Sequence, residues 1–277
     1  MTRAAAFLAL ALALAAAPAW GGDFELDAGV GGSFPRFEQT LTFDPATSVP
    51  PIPGVTLTSS GALQLDAEGG LAWRAGLTWY FVGGLGLEAR YDSVTANLVA
   101  SGATYDVRVV AVPGVPSFNA RLELGAEDLR LDSVHPISLN LRFRTPGPVR
   151  LVLSGGVSYL DAIQVQGSLV GTLSSSLPIP LPPVRVNLAA VAPPGEDDGQ
   201  FGVNAGLGLQ IGLGETLSLQ GEVRAFAFKE RTLTWSALGV PANVVEQALQ
   251  QELLARLEPI TFDPLLWSAT AGISLRF

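Results

Sequence analysis

Ala269-Thr270-Ala271-Gly272-Ile273-Ser274-Leu275-Arg276-Phe277 is the stretch on which the fold turns. Ala269, Ala271, Ile273, Leu275 and Phe277 share one parity; Thr270, Ser274 and Arg276 share the other. Successive side chains of a strand point to opposite faces, so this spacing predicts a strand with one apolar and one polar face. Trp267 extends the apolar row upstream. At about 3.3 Å per residue and a tilt near 40°, Trp267 and Phe277 lie roughly 25 Å apart along a membrane normal, the height of the apolar band of a transmembrane barrel. The reading is a strand that crosses a bilayer, polar inward, with an aromatic residue at each interface.

Seven earlier segments repeat the pattern. They run from Asp23 to Phe34, from Gly70 to Phe81, from Leu85, up to Arg144, from Val149, through Phe201 to Ile211, and from Leu217. In the second, Leu71, Trp73, Ala75, Leu77, Trp79 and Phe81 alternate with Arg74, Thr78 and Tyr80. Trp73, Trp79 and Phe81 join Trp267 as girdle candidates. Three connections are short and rich in Gly and Pro: Val82-Gly83-Gly84, Thr145-Pro146-Gly147-Pro148 and Gly212-Leu213-Gly214-Glu215. The other four, roughly 35–69, 93–136, 160–200 and 229–265, are long. Strict alternation of short and long is the habit of transmembrane barrels and not of a soluble β-sandwich, the competing architecture.

Composition agrees. Of 277 residues, 48% are hydrophobic and 15% charged, against about 25% charged in soluble domains. Beyond the N-terminus no run of about 18 apolar residues supplies a membrane helix, which leaves a closed barrel as the way across. A net charge of −9 argues against a nucleic-acid partner. Cys is absent, which removes disulfides, thiolate chemistry and a lipidated N-terminal Cys. Arg3, the apolar run Ala4 to Ala17 and Ala17-Pro18-Ala19 read as a cleaved secretory signal, an uncleaved anchor being the alternative. Residues 1–19 are thus expected to be signal peptide and 20–277 the barrel.

At this point the sequence resembles the small eight-stranded outer-membrane barrels of the OmpA transmembrane-domain and OmpX type. The resemblance covers the mature chain as topology, without a diagnostic internal motif. It implies an outer-membrane location in a Gram-negative envelope. It also implies that Ala271, Ile273, Leu275 and Phe277 form the C-terminal signal read by the barrel-assembly machinery. The sequence departs from OmpA in carrying no periplasmic domain after the last strand, so a peptidoglycan tether is not implied.

Eight strands enclose a lumen just wide enough to be filled by side chains or to hold one small ligand. The inward parity is charged: Glu25, Asp27, Glu88, Asp92 and Glu222 against Arg74, Arg90, Arg142, Arg144, Arg150, Arg224 and Arg276. Unpaired charge in so narrow a space is costly, so a salt-bridge plug is expected. A gated polar channel is the alternative, favoured by the room that inward Gly202, Gly206, Gly208 and Gly212 leave.

The stretches 94–112 and 118–131 continue to read as strand around Pro113-Gly114-Val115-Pro116, as a hairpin above the membrane or as two further membrane strands making ten. A helix is expected from Pro241 to Leu257, with Val245, Leu249, Leu253 and Leu257 on one stripe. With Leu177-Pro178-Ile179-Pro180-Leu181-Pro182-Pro183 it offers an apolar site for a small hydrophobic molecule.

The single His, His135, stands three residues before Ser138 with Pro136 between. Lipid A deacylases carry His and Ser two apart, followed by Asn; a separation of three places the pair on opposite strand faces. No catalysis is expected. No cofactor or metal motif is present either: Gly206-Leu207-Gly208-Leu209-Gln210-Ile211-Gly212 is one residue too long for a dinucleotide loop and sits inside a strand.

The expected molecule is all-β: an antiparallel up-and-down transmembrane barrel of eight strands, or ten or more, with long external loops and one short loop helix. Its partners are membrane lipid, the assembly machinery, and a surface protein or a small hydrophobic ligand. It is expected to be a monomer with a structural or surface-interaction role and a closed or narrow lumen. A channel or carrier for a small hydrophobic or polar solute is the alternative.

Overall fold

The computed structural model describes residues 22–35, 38–42, 55–60, 62–109, 118–161, 163–175, 184–191, 199–240, 247, 250, 251, 254, 255, 257–262 and 265–277. The segments read as a signal peptide (1–19) and as the Pro-rich loop (177–183) lie outside these residues.

The chain makes eight passes. The first is β1 (Asp23–Pro35) followed by β2 (Glu38–Thr42). The second comprises β3 (Val55–Ser60), β4 (Ala62–Glu68) and β5 (Gly70–Val82), and the third β6 (Leu85–Ser101) and β7 (Ala103–Val109). The fourth comprises β8 (Phe118–Val134) and β9 (Ile137–Arg144), the fifth β10 (Val149–Leu160) and β11 (Gln164–Ser175). The sixth is β12 (Val184–Val191) with β13 (Gln200–Gly212), the seventh β14 (Leu217–Ala227) with β15 (Arg231–Ala237), and the last β16 (Ile260–Phe262) with β17 (Leu265–Arg276).

Antiparallel ladders join β1–β5–β6–β9–β10–β13–β14–β17 and return to β1, closing an eight-stranded barrel. Closure is completed at the chain's end, where the Phe24 and Phe277 amides each donate to the other's carbonyl. The strand count is eight; the ten-strand alternative is excluded, because the extra strands pair with one another above this ring. The segments expected as long loops are largely strands too, the continuations of the same passes. β4 pairs with β2 and the far end of β6, β7 with β3 and β8, and β11 with β8 and β12; β15 joins β12 to β16. A crown thus extends the barrel on the side opposite the short turns. The hairpin expected above the third and fourth strands is present, as β6–β7 against β8. Gly83 and Gly84 have φ of 49° and 89°, which suits the tight turn between β5 and β6.

One pattern separates the two storeys. On β6 the inward residues run Gly86, Glu88, Arg90, Asp92 and then Val94, Ala96, Leu98, all buried. The outward row passes from Leu87 to the exposed Asn97. Polarity exchanges faces between residues 92 and 94 while the strand runs on. The same exchange takes β14 from Arg224 to Phe226, β10 from Ser158 to Leu160 and β17 from Ser268 to Leu266. The cause is the surroundings. Where lipid lies outside, apolar side chains face out and polar groups must find partners within. Where water lies outside, apolar side chains are buried as in a soluble barrel.

On the second pass the exchange is helped by a one-residue slip: Glu68 pairs with Asn97 but Ala72 with Val94. Such a bulge swaps faces. The Thr95 hydroxyl holds it, accepting from the Leu71 amide and donating to the Leu71 carbonyl, both at 3.1 Å. Gly70 lies where a side chain would collide with the Thr95 backbone.

The helix is confirmed at Gln247, Gln250, Gln251, Leu254 and Ala255. Of the expected stripe only Leu257 is described, and it is buried in the crown's core. Val245, Leu249 and Leu253 lie outside the described residues, and Leu257 follows the helix. Gln250 and Leu254 face the protein, with the Gln250 amide donating to the Asn187 carbonyl at 3.3 Å and Leu254 against the crown's core.

Candidate functional site

Every strand of the ring sends polar side chains inward, and all eight sets meet. Five carboxylates (Glu25, Asp27, Glu88, Asp92, Glu222) and five guanidiniums (Arg74, Arg90, Arg142, Arg144, Arg224) are buried there, so the fixed charge sums to zero. They form one connected network. Arg142 is its hub: one terminal nitrogen lies 2.6 Å from Glu88 and 3.2 Å from Asp27, the other 3.2 Å from Glu25 and 3.1 Å from the Gln220 amide oxygen. Arg224 reaches Glu222 at 2.8 Å and Glu88 at 3.1 Å. Arg90 grips Asp92 with Nε and Nη2 and reaches Glu222 at 2.6 Å. Arg74 pairs with Asp27 and donates to Thr270 at 2.9 Å.

Neutral groups meet part of what the charges leave, although Arg74 Nη2 and Arg142 Nε have no hydrogen-bond partner. Asn140 donates to Glu88 at 2.8 Å, Asn204 accepts from Arg224 and donates to Asn140, and Ser138 and Ser158 bond each other at 2.8 Å. Guanidinium suits this task because its five donors lie in a fixed plane and its charge persists on burial.

Of the glycines expected to leave room for a channel, Gly206 gives that room to the plug. A Cβ on Gly206 would stand 2.7 Å from the Ser154 hydroxyl and 3.0 Å from both Arg224 and Glu222. Gly202 is backed by Phe228.

Two residues expected in the network lie at its turn-side edge. Arg150 is correctly placed on the inward row of β10, but so near the turn that its Nε donates to the Gly147 carbonyl at 2.9 Å. Arg276 pairs with Asp23 at the turn-side mouth, with side chains 37% and 43% exposed, and the network is joined there through Arg144, 3.4 Å from Asp23. Arg144 also stacks over the Tyr80 ring, 3.7 Å from its centre.

The outer surface carries the expected aromatics. Trp73 and Trp267 face outward at the crown end of the apolar belt, Trp73 packed 5.2 Å from Tyr91 and Trp267 opposite Phe34. Trp79 and Phe81, 5.5 Å apart, stand at the turn end, Trp79 opposite Phe24. Ala271, Ile273, Leu275 and Phe277 occupy one face of β17, and Ile273, Leu275 and Phe277 are exposed along it.

His135 stacks on the outward-facing Tyr91, ring centres 5.9 Å apart, while Ser138 points into the lumen. The two do not meet.

What the sequence reading missed lies above the network. Leu65, Val94, Leu131, Val134, Leu160, Ile163, Val165, Leu188, Phe226, Leu233, Ile260 and Leu266 form a core inside the crown, each at most 2% exposed. The signal was present at Val94-Thr95-Ala96-Asn97-Leu98, with polarity inverted relative to a membrane strand.

No protein-family model matches the sequence, and no curated protein matches it. Among solved structures the chain is similar to outer membrane protein OprG from Pseudomonas aeruginosa, at 15% identity over 92% of this chain and 96% of that one, with a TM-score of 0.42. It is similar to Ail, the attachment invasion locus protein of Yersinia pestis (8%, 92% and 99%, 0.36). The outer membrane protease OmpT from Escherichia coli is a further likeness (9%, 94% and 98%, 0.38). These structural neighbours are outer-membrane β-barrel proteins of several roles, a protease among them.

Proposed function

We propose that the protein is a closed outer-membrane barrel that serves as a structural or surface-interacting element, and that it does not conduct solute. The observation that carries this reading is the lumen network: ten buried charges, five of each sign, joined by ion pairs across all levels of the membrane ring. Such a network has little reason to open, because separating one partner leaves a buried charge uncompensated, at about 3–5 kcal/mol. A carrier for a small hydrophobic solute would need a path through the crown, and that interior is filled by its own side chains. In the same reading, the C-terminal row Ala271, Ile273, Leu275 and Phe277 is the assembly signal, the mature protein acts as a monomer, and the crown is the part offered to partners.

Planar-bilayer recording tests the central claim. The wild-type protein is expected to insert without a stable conductance step. Sustained open channels in the unmodified protein would overturn the reading and restore the polar-channel alternative.

A further inference from the structure

We infer that the barrel is sealed twice in series, by barriers of opposite chemistry, so that the ion-pair column is a blind well reachable only from the turn-side mouth. The inference rests on the closed-lumen reading and goes beyond it by assigning the seal toward the crown to apolar packing rather than to the charges.

The turn-side end is open to solvent. Asp23 and Arg276 are 43% and 37% exposed, Arg144 falls to 8%, and the charges beyond it are buried almost completely. Water therefore reaches the column from this end and is excluded stepwise. At the other end the column stops at Asp92, Ser158 and Arg224. The next inward residues on those strands are Val94, Leu160 and Phe226, none more than 1% exposed. Phe226 stacks on Phe228, with ring centres 6.4 Å apart and planes 6° apart, and Leu266 pairs with Phe226 across the ladder. Val94, Leu160, Phe226 and Leu266 carry no polar side chain to hydrate an ion, and the polar neighbour at this level is Gln200, opposite Leu160, so ions and water are excluded from the apolar side of the layer by desolvation. Removing charges below leaves it intact. The two barriers share strands but use different residues, so either one is expected to suffice.

The sequence has no Cys, which allows a clean test. Four proteins are compared in planar bilayers: wild type, a plug-opened variant (Glu88→Ala with Arg142→Ala), a core-opened variant (Phe226→Ala with Leu266→Ala), and the combination. Folding is checked by the compact migration of unheated barrels on gels. Only the combination is expected to conduct. Conductance in the plug-opened variant alone overturns the second seal; conductance in wild type overturns instead the closed-lumen reading on which it rests. Silence from a folded combination also overturns the inference.

If the combination does not fold, the plug-opened variant carrying Ser158→Cys replaces it. It is treated in vesicles with a charged, membrane-impermeant methanethiosulfonate, after protease digestion has established which way the crown faces. Labelling from the turn side alone is expected. Labelling from the crown side, or no labelling from the turn side, refutes the blind well.

Discussion

Arg142 shows how much one residue carries when its surroundings are dry. Its guanidinium touches Glu25, Asp27, Glu88, Thr78 and Gln220, with no exposure to water. Replacing it by Met leaves Glu88 and its neighbours with surplus negative charge, so Arg142→Met is expected to destabilise the barrel by about 3–5 kcal/mol. Arg276→Ala removes a pair of the same type at the exposed mouth and is expected to cost no more than about 1 kcal/mol. Urea unfolding in lipid vesicles measures both; equal losses would mean that the column is wetter than its geometry implies. Gly206→Ala probes the same site by volume. The added methyl meets Ser154, Arg224 and Glu222, and a loss of about 1–3 kcal/mol is expected from overpacking in the same assay.

A single strand here lives in two solvents. β6 and its neighbours keep their ladders from the short turns to the crown, but the face that must be apolar changes along the way. The same substitution should therefore have unlike effects at two heights. Leu139→Arg places a cation on the lipid face of β9, where about 2–4 kcal/mol is expected near the bilayer midplane. Asn97→Arg places one on the outer face of β6 in the crown, where water solvates it and no measurable loss is expected. Comparable losses in vesicle unfolding would mean that the crown is immersed in lipid. The helix belongs to the same scale: it covers the crown's core through Leu254 and does not stand free.

Taken whole, the molecule is one continuous barrel with two interiors, ionic below and aliphatic above. Because both are packed, the crown is expected to behave as folded structure and not as loops. Amide hydrogen exchange measures this. Protection on β8 and β11, whose ladder runs from Ala120–Ser175 to Asp132–Gln164, is expected to approach that of β10 and β13. Exchange of those crown amides within seconds would sink that expectation.

The sequence by itself determined eight strands with one apolar and one polar face, since lipid outside and a narrow lumen inside impose alternation, and it left open whether two more joined them until the structure closed the ring at eight. It also determined which charges face in. It read 94–112 and 118–131 as strand but not the other crown strands, nor the core they enclose, because there the apolar face turns inward and the register slips at Gly69–Gly70 and between Gln166 and Ser168. A reading tuned to apolar-outward alternation does not mark Val94, Ala96 and Leu98 as an inward core. Only the tertiary structure decided the partners. Arg142 and Arg150 share a parity and a chemistry, yet one is the buried hub and the other bonds a turn carbonyl, since height along the barrel fixes which carboxylates are within reach. The opening strand is the same case: Phe277 was legible from its spacing with Trp267, whereas the pairing of Arg276 with Asp23, 253 positions away, exists only because the ring closes there.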